Sequence, residues 1–295
     1  MRAIGIGETV FDIVFDTSNK PLAAVPGGSA FNAIISIGRS GKKAFFASEV
    51  GDDKVGSIIA SFLRQNGVDD SGLYVQKDMH SPLSLAFLDE SRNAHYQFYK
   101  DHYNARTMPI ISLSATEDDV VLYGSYFAVN PNIRSSVKAM LQEAVTAHSL
   151  LYYDVNFRSA HIAEVDILRP AIEENMMMST IVKGSDEDFH NIYGTADFRN
   201  LYVSRLSKFC PYLICTCGAD GAYLLSPNGE WHVASKPITP ISTIGAGDSF
   251  NAGVVCGLMS DREPLNPEKI ARAMQLGNDY AVEVCLSTDN YIAPR

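Results

Sequence analysis

Residues 242–253 read Ser-Thr-Ile-Gly-Ala-Gly-Asp-Ser-Phe-Asn-Ala-Gly. Two glycines here precede a segment whose apolar residues recur at helical spacing, at Phe250, Val254 and Leu258. The first turn of a helix carries unpaired N–H groups and about half a positive charge, so phosphate is its usual ligand. A carboxylate at Asp248 would repel phosphate unless it served a purpose, such as accepting a proton. The stretch predicts an anion hole with a base beside it; a glycine turn capped by aspartate is the alternative.

The composition favours a small-molecule partner. The chain has 295 residues and a formal net charge of −10, with no block of lysine or arginine. Proteins that bind the phosphate backbone of DNA carry basic patches, so we expect no nucleic-acid partner. No stretch approaches the roughly 20 apolar residues that span a bilayer, and the amino terminus lacks a basic region followed by a long apolar run. We therefore expect a cytoplasmic protein that does not bind membranes.

The cysteines predict neither a disulfide framework nor a zinc site. The five cysteines are odd in number, are mostly flanked by apolar residues and form no Cys-x-x-Cys pair. Free, buried thiols in a reducing compartment are the preferred interpretation.

Apolar periodicity changes along the chain and predicts two kinds of sheet. Phe11, Ile13 and Phe15 alternate with a second face, and 83–88 and 94–99 are further strands of this kind. Short apolar runs separated by helical stretches follow at 120–123, 150–153, 181–182 and 213–215. This order is typical of βα units with a parallel sheet buried on both faces. We predict one α/β domain over 1–295, a doubly wound, mostly parallel sheet flanked by helices, with a small β-sheet lid from about 10–25 and 83–105.

Seven segments show helical periodicity, at 30–39, 55–66, 133–147, 165–177, 201–209, 248–259 and 267–284. Ligands of doubly wound sheets bind beyond the carboxyl ends of the strands. Polar residues follow three predicted strands, at Asp154, Asn156 and Arg158, at Lys183, Ser185 and Asp188, and at 216–221. Each group alone fits an ordinary polar loop. Together with the anion hole they predict one functional edge of the sheet.

Several familiar sequence motifs are incomplete or absent. Gly5 and Gly7 hint at a dinucleotide fingerprint, but Val10 stands where its third glycine belongs. The chain also has no Gly-x-x-x-x-Gly-Lys-Ser/Thr loop, no His-Glu-x-x-His zinc helix and no Gly-x-Ser-x-Gly nucleophile elbow. Hydride transfer and serine hydrolysis therefore lose their usual support.

A second informative stretch is Pro-Gly-Gly-Ser-Ala-Phe-Asn at 26–32. It places two glycines at a tight turn and Asn32 one turn into the following helix. Asparagine both donates and accepts hydrogen bonds, which suits neighbouring sugar hydroxyls. A glycine-rich helix start capped by Ser29 is the alternative.

Over essentially its whole length, the chain resembles the ribokinase-like (PfkB) family of carbohydrate kinases, in its fructokinase-like branch. Its first motif region contains Gly27, Gly28, Asn32, Gly41, 50–53, Gly56 and 66–68. The second is Thr-Ile-Gly-Ala-Gly-Asp-Ser-Phe at 243–250, which closely matches the active-site signature of the family. The resemblance implies transfer of phosphate from Mg-ATP to a sugar hydroxyl, with the early alternating strands forming a lid over the sugar.

The resemblance also implies roles for individual residues. The catalytic set is Asp248 as base, Gly245, Ala246 and Gly247 as anion hole, and Arg158 near sugar and phosphate. The sugar contacts are Asp12, Gly28, Asn32, Asn156 and Lys100. The nucleotide contacts are Lys183, Ser185, Thr216, Gly218, Gly221 and Asn278. Asp188 is the expected magnesium contact, through water.

Departures from the family pattern bear on the sugar and on K⁺. Ser29 stands where ribokinases carry a lysine, which makes ribose a less favoured substrate. Lys100 replaces the lid arginine common in fructokinases. Ser242 replaces the usual leading aspartate of the signature, and 285–288 replace a glycine-rich segment, so a K⁺ site is doubtful.

The predicted function is therefore that of an ATP-dependent fructokinase. A kinase of 2-keto-3-deoxygluconate, another ketose or a nucleoside is the alternative within the class, and a non-catalytic sugar or nucleotide sensor is the alternative outside it. Exposed lid strands are edges that many proteins cover by dimerisation, so a homodimer through the lid also stays open.

Overall fold

Fourteen strands and eight α-helices are present in the computed structural model, which describes residues 1–89, 94–99 and 108–295. In chain order the strands are β1 (Ala3–Ile6), β2 (Val10–Phe15), β3 (Pro21–Gly27), β4 (Ala44–Gly51), β5 (Val68–Asp69), β6 (Leu73–Gln76), β7 (Leu83–Leu88), β8 (Ala94–Tyr99), β9 (Val120–Gly124), β10 (Leu150–Asp154), β11 (Ile181–Ser185), β12 (Tyr212–Thr216), β13 (Ala222–Ser226) and β14 (Gly229–Val233). The helices are α1 (Ser29–Arg39), α2 (Lys54–Gln65), α3 (Arg134–Thr146), α4 (Val165–Met178), α5 (Asp186–Tyr193), α6 (Phe198–Ser204), α7 (Ala246–Leu258) and α8 (Pro267–Cys285).

The large sheet is doubly wound and mostly parallel, as predicted. Its strand order is β14-β13-β12-β11-β10-β9-β1-β4-β5, with β6 paired to β4, and only the pairs that involve β13 are antiparallel. Successive residues of one strand face opposite cores: Val120 and Leu122 pack with α1, α7 and α8, whereas Val121 and Tyr123 pack with α3, α4 and α5. Burial on both faces explains why these strands are short apolar runs rather than alternating segments.

A separate sheet of four strands has the order β3-β2-β7-β8. The pair β2–β7 is parallel, and the other two pairs are antiparallel. This small sheet contains the predicted strands at 11–15, 83–88 and 94–99, together with β3, most of which falls within the predicted lid range of 10–25. The apolar pattern indicates no separate strand at β3, because four of its seven residues are exposed. The last part of the predicted lid, at 100–105, lies outside the described residues, and the covering role of the sheet stays a prediction.

Six of the seven predicted helices match α1, α2, α3, α4, α7 and α8 to within two residues at each end. The predicted helix at 201–209 is wrong in its bounds. Asp197 caps the start of α6 by accepting a hydrogen bond from the Asn200 N–H group, so the helix begins three residues earlier. Arg205 leaves the helical conformation at φ −135°, and a short 3₁₀ turn follows. None of the described helices combines the length and the apolar character needed to cross a membrane.

Close packing of α7 against α8 fixes the position of the predicted catalytic helix. A Cβ atom on Gly253 would lie 2.5 Å from the carbonyl oxygen of Leu276, and one on Gly277 would lie 2.9 Å from the ring of Phe250. Side chains at these two glycines would therefore push the helices apart, because a packed interior has no room for an added methyl group.

We expect Gly277→Ala to lower the free energy of unfolding by about 1–3 kcal/mol, the usual cost of overpacking. The measurement is a urea unfolding curve. Gln275→Ala, on the exposed face of the same helix, is the matched control and should change stability by less than about 0.5 kcal/mol. Equal midpoints for the two variants would contradict the tight α7–α8 contact.

Candidate active site

Asp248 lies buried in the first turn of α7, with 8% of its surface exposed. Its two carboxylate oxygens accept hydrogen bonds from Ser29 Oγ and Asn32 Nδ2, each at 2.8 Å. Gly245 precedes the helix with φ 79°, a left-handed conformation that glycine adopts readily, and a Cβ there would lie 2.6 Å from the carbonyl oxygen of Asn290. The predicted base thus joins the predicted sugar contact Asn32 at the start of the helix.

Burial raises the pKa of Asp248 above its ordinary value. The hydrogen bond from Asn32, the charge of Arg158 and the hydrogen bond from Ser29 oppose this shift, and the nearby charge of Asp154 adds to it. A carboxylate with a raised pKa is a stronger proton acceptor than an ordinary surface aspartate.

The segment that carries Asn32 also places Asp12 near the site. Gly28 lies directly before α1 at φ 119°, a conformation that favours glycine. A Cβ atom on the preceding Gly27 would overlap the carboxylate of Asp12, which accepts a hydrogen bond from Ser84 Oγ. Three of the predicted sugar residues, Asp12, Gly28 and Asn32, therefore follow one continuous path from the small sheet to Asp248. Within the described part of the chain, Asn32 Oδ1 is buried and has no hydrogen-bond partner.

Lys183 contributes a buried cation beside the predicted anion hole. Its Nζ atom donates to Asp154 Oδ1 at 3.0 Å, and a Cβ atom on Gly247 would lie 3.6 Å from that Nζ. Burial disfavours the charged amine, yet the carboxylates of Asp154 and Asp188 raise the pKa of Lys183 above its ordinary value. The ammonium group is therefore held in its charged form beside the N-terminus of α7.

The Asp154 carboxylate has a second buried partner. Asn251 Nδ2 donates to Asp154 Oδ2 at 2.6 Å, and Tyr152 donates its hydroxyl proton to Asn251 Oδ1 at 3.0 Å. The sequence motifs indicate no role for Asn251, and they suggest Ser29 only as a helix cap. A polar side chain within the buried face of α7 is the signal that would have indicated Asn251, whereas Ser29 has only its place in the glycine motif.

Asp188 and Ser185 form a capping box at the start of α5. One Asp188 oxygen accepts from the N–H group of Phe157 and the other from that of Ser185, both at 2.7 Å. Burial is the main cause that raises the pKa of Asp188. The described residues contain no group of three or more His, Cys, Asp or Glu side chains placed to hold a metal ion. The water-mediated magnesium contact at Asp188 stays a prediction.

The other predicted nucleotide residues lie at the end of β12, in the turn that follows it and on α8. Thr216 ends β12, and the turn that follows uses Gly218 at φ 54° and Gly221 at φ 92°. Asn278 Nδ2 donates to the carbonyl oxygens of Val233 and Ala234, at 3.0 and 3.2 Å. A Cβ atom on Gly221 would overlap that same Val233 carbonyl, so Gly221 and Asn278 approach one segment from two sides.

The remaining predicted residues lie beyond β10. Arg158 is exposed and Asn156 is half-buried at φ 37°, a rare conformation for a residue with a side chain. Both line a small pocket with the stacked rings of Tyr126 and His161, whose centroids are 4.2 Å apart. Lys100 lies outside the described residues, so its sugar contact stays a prediction.

Replacement of Lys183 by methionine should leave Asp154 as an unpaired buried charge. We expect Lys183→Met to lower the free energy of unfolding by about 3–5 kcal/mol, as measured by urea unfolding. Lys236→Met removes an exposed ion pair with Asp279 and should cost about 0–1 kcal/mol. The double variant Lys183→Met/Asp154→Asn should recover much of the lost stability. A small effect of Lys183→Met, similar to that of the surface control, would show that the buried pair does not matter.

Known sequences are similar to nearly the whole chain. The sequence profile of the pfkB family carbohydrate kinase matches residues 4–293. Probable fructokinase-5 of Arabidopsis thaliana is 26% identical over 289 residues, which cover 93% of this chain and 88% of the relative. The fructokinase of Rhizobium leguminosarum bv. trifolii is 28% identical over 260 residues, which cover 86% of this chain and 79% of the relative.

Two solved structures share the fold. A fructokinase from Vibrio cholerae O395, in its fructose, ADP and calcium ion bound form, has a TM-score of 0.88 at 22% identity, over 99% of this chain and 95% of its own. Aminoimidazole riboside kinase from Salmonella enterica, complexed with aminoimidazole riboside and an ATP analog, has a TM-score of 0.87 at 21% identity, over 100% and 97%. These likenesses confirm the predicted architecture. Because the family profile spans nearly the whole chain, the predicted resemblance is confirmed as well: the chain belongs to the PfkB family of carbohydrate kinases, which are phosphotransferases that act on a sugar hydroxyl.

Proposed function

We propose that this kinase transfers the γ-phosphoryl group of Mg-ATP to a primary hydroxyl of fructose. The observation that carries the proposal is the buried Asp248 carboxylate, aligned by Ser29 and Asn32 at the start of α7, with the Lys183 ammonium beside Gly247. Phosphoryl transfer needs mainly positioning and stabilisation of charge, and this arrangement supplies both a base and cations.

Asp248 accepts the proton of the attacking hydroxyl. Each of its oxygens accepts one hydrogen bond from the protein, at 2.8 Å, which leaves a lone pair for the substrate. The raised pKa of Asp248 moves its proton affinity towards the range in which general bases work best. Ser29 and Asn32 keep the carboxylate in one orientation, so that the bound hydroxyl meets it directly.

Asn32 and Asp12 orient the sugar in this proposal. Asn32 Oδ1 is buried without a partner among the described residues, and such an atom is costly unless a ligand donates to it. A sugar hydroxyl is the donor that matches this position. Gly28 keeps the backbone free of a side chain beside the same site.

In the proposed site, the groups that contact phosphate are the start of α7 and two basic residues. The N–H groups of Gly245 and Gly247, together with Lys183 and Arg158, stabilise the negative charge that develops on the transferred phosphoryl group. The Ala246 N–H group contributes less, because it already donates to the Thr243 carbonyl oxygen at 3.3 Å. Thr216, Gly218, Gly221 and Asn278 bind the nucleotide, with Ser185 next to them at the end of β11.

The donor set fits a magnesium ion that arrives on the nucleotide phosphates. Mg²⁺ is usually held by one or two carboxylates, substrate phosphates and several waters, and each Asp188 oxygen keeps a lone pair beside its one N–H bond. When bound, the ion supplies neutralisation of phosphate charge.

Fructose is proposed as the acceptor because of the proteins to which this chain is similar. The similar sequences named above are fructokinases, and one structural neighbour has bound fructose. A nucleoside-like acceptor is the second candidate, because an aminoimidazole riboside kinase shares the fold to a similar degree. The cytoplasmic location and a homodimer through the small sheet remain predictions.

A coupled assay of ADP release tests the proposal over fructose, ribose, glucose, 2-keto-3-deoxygluconate, adenosine and aminoimidazole riboside. We expect the highest kcat/KM with fructose. A higher value with another acceptor would transfer the assignment to that substrate. Absence of ADP release with every acceptor would favour the non-catalytic sensor.

Loss of the base should abolish most turnover while the fold remains. We expect Asp248→Asn to lower kcat by about two to four orders of magnitude, the range for removal of a general base. The measurements are kcat and nucleotide affinity, with Asp166→Asn on the exposed surface of α4 as the control. Near wild-type turnover would remove Asp248 from the mechanism.

Removal of the Asp12 carboxylate should change the KM for the sugar and leave the KM for ATP unchanged. A lost charge-assisted hydrogen bond costs about 1.5–3 kcal/mol, so Asp12→Ala should raise the KM for fructose by roughly ten- to a hundredfold. The control is Asp16→Ala, because the Asp16 carboxylate accepts N–H groups of Ser18 and Lys20 in the following turn. An unchanged KM for fructose with a raised KM for ATP would contradict the assignment.

We expect little activation by K⁺. The Ser242 hydroxyl is neutral and already accepts a hydrogen bond from the Ile244 N–H group, so it cannot offset a cation as a carboxylate would. The measurement is the initial rate against KCl at fixed ionic strength, with tetramethylammonium chloride as the replacement salt. A severalfold, saturable rise specific to K⁺ would refute this expectation.

A further inference from the structure

Two cysteines flank Thr216 at the end of β12. The Sγ atoms of Cys215 and Cys217 lie 3.9 Å apart, which is van der Waals contact between the two sulfurs. Cys215 is fully buried, whereas Cys217 is half-buried in the turn that leads to Gly218. One thiol of the pair is therefore reachable from solvent and the other lies directly behind it.

The contact makes the two thiols chemically unequal. The hydrogen bond between the two sulfurs is the main cause that lowers the pKa of Cys217, and the same bond, together with burial, raises the pKa of Cys215. Because the thiolate is the reactive form, the half-buried Cys217 is the nucleophile of the pair. The charges of Asp186 and Asp220 oppose this activation, and that of Arg199 assists it.

A bond between these sulfurs would deform the nucleotide turn. Residues two apart in an extended strand have Cα atoms about 6.6 Å apart, near the upper limit of about 6.8 Å for a disulfide. The two Sγ atoms must move from 3.9 Å to about 2.05 Å when the bond forms, and a Cα separation nearer the common value of about 5.5–6 Å would bend the backbone at Thr216. Thr216 is paired with Ser185 on one side and Ala222 on the other, and Cys217 closes the turn by donating its N–H group to the Gly221 oxygen at 2.8 Å.

We propose that Cys215 and Cys217 form a thiol–disulfide site that takes a low-molecular-weight disulfide as its oxidant and weakens nucleotide binding when oxidised. The effect on nucleotide rests on the proposed function of Thr216, Gly218 and Gly221. The oxidation itself rests only on the two sulfurs.

The proposed thiol–disulfide exchange takes place in two steps. The Cys217 thiolate attacks one sulfur of the small disulfide, so that a mixed disulfide forms and one small thiolate leaves. Cys215 then gives up its proton and attacks Cys217 Sγ, which displaces the second small thiolate. The two cysteines lose two electrons and two protons, and the small disulfide is reduced to two thiols.

The experiment treats the full chain with glutathione disulfide. Mass spectrometry of the intact protein and its peptides should show a loss of two hydrogens, assigned to a bridge between Cys215 and Cys217. The dissociation constant for ATP should rise by roughly tenfold, as expected for loss of one or two hydrogen bonds to the nucleotide, and dithiothreitol should restore it.

Variants separate the bridge from general thiol damage. Cys217→Ser and Cys215→Ala should each lose both the bridge and the change in ATP affinity, when each is compared with its own untreated form. Cys285→Ser, which removes another half-buried thiol at the end of α8, should respond as the unchanged protein does.

Two results would overturn the proposal. One is recovery of only a glutathione adduct, or of unmodified thiols, at Cys217. The other is a complete bridge with unchanged ATP affinity. A reduced protein that binds ATP but phosphorylates no sugar would instead refute the proposed function. The mass and affinity measurements would still test whether the Cys215–Cys217 bridge forms and weakens ATP binding.

Discussion

One buried lysine offsets the charge of three buried carboxylates at the candidate active site. Asp154, Asp188 and Asp248 are each less than a tenth exposed, and like charges at such depth would repel one another and lose their hydration. The Lys183 ammonium bonds to Asp154 and interacts with the other two carboxylates, so that it offsets part of their charge. The same cation lies beside Gly247, where a phosphate would bring further negative charge. We therefore expect Lys183 to contribute both to the stability of this cluster and, with the N–H groups of α7 and Arg158, to its affinity for anions.

Hydrogen bonds around this lysine connect elements that are distant in the chain. Asn251 on α7 bonds to Asp154 on β10, and three residues earlier Asp248 bonds to Ser29 and Asn32 on α1. The helix α7 is therefore held from both sides of its first two turns, while α8 packs closely along its glycine face. A helix that is fixed in this way presents its N–H groups and its carboxylate with little freedom, which suits catalysis by positioning.

The two sheets are under different physical constraints. The large sheet is covered by helices on both faces, so most positions of its central strands carry apolar side chains, and apolar residues of similar size can replace one another there. The small sheet exposes most of β3, and it contributes Asp12 from a strand that is half-buried. The family match spans both sheets, and in the proposed function the polar side chains of the small sheet contribute to the choice of sugar.

Local patterns in the sequence determined the doubly wound sheet, six of the helices and the carboxylate at the start of α7. Apolar periodicity and glycine placement act within one turn or one strand, so they can be interpreted without knowing the neighbours of a segment. The same patterns do not indicate the early end of α6 or the short polar helix α5, because a side-chain cap and a single off-helix residue decide them. Tertiary structure alone decided that Ser29 bonds to Asp248 across 219 positions, that Lys183 pairs with Asp154 across 29, and that Asn251 completes the set. Such pairs depend on the order of the strands in the sheet, which the burial of many distant apolar residues selects together and no single stretch encodes.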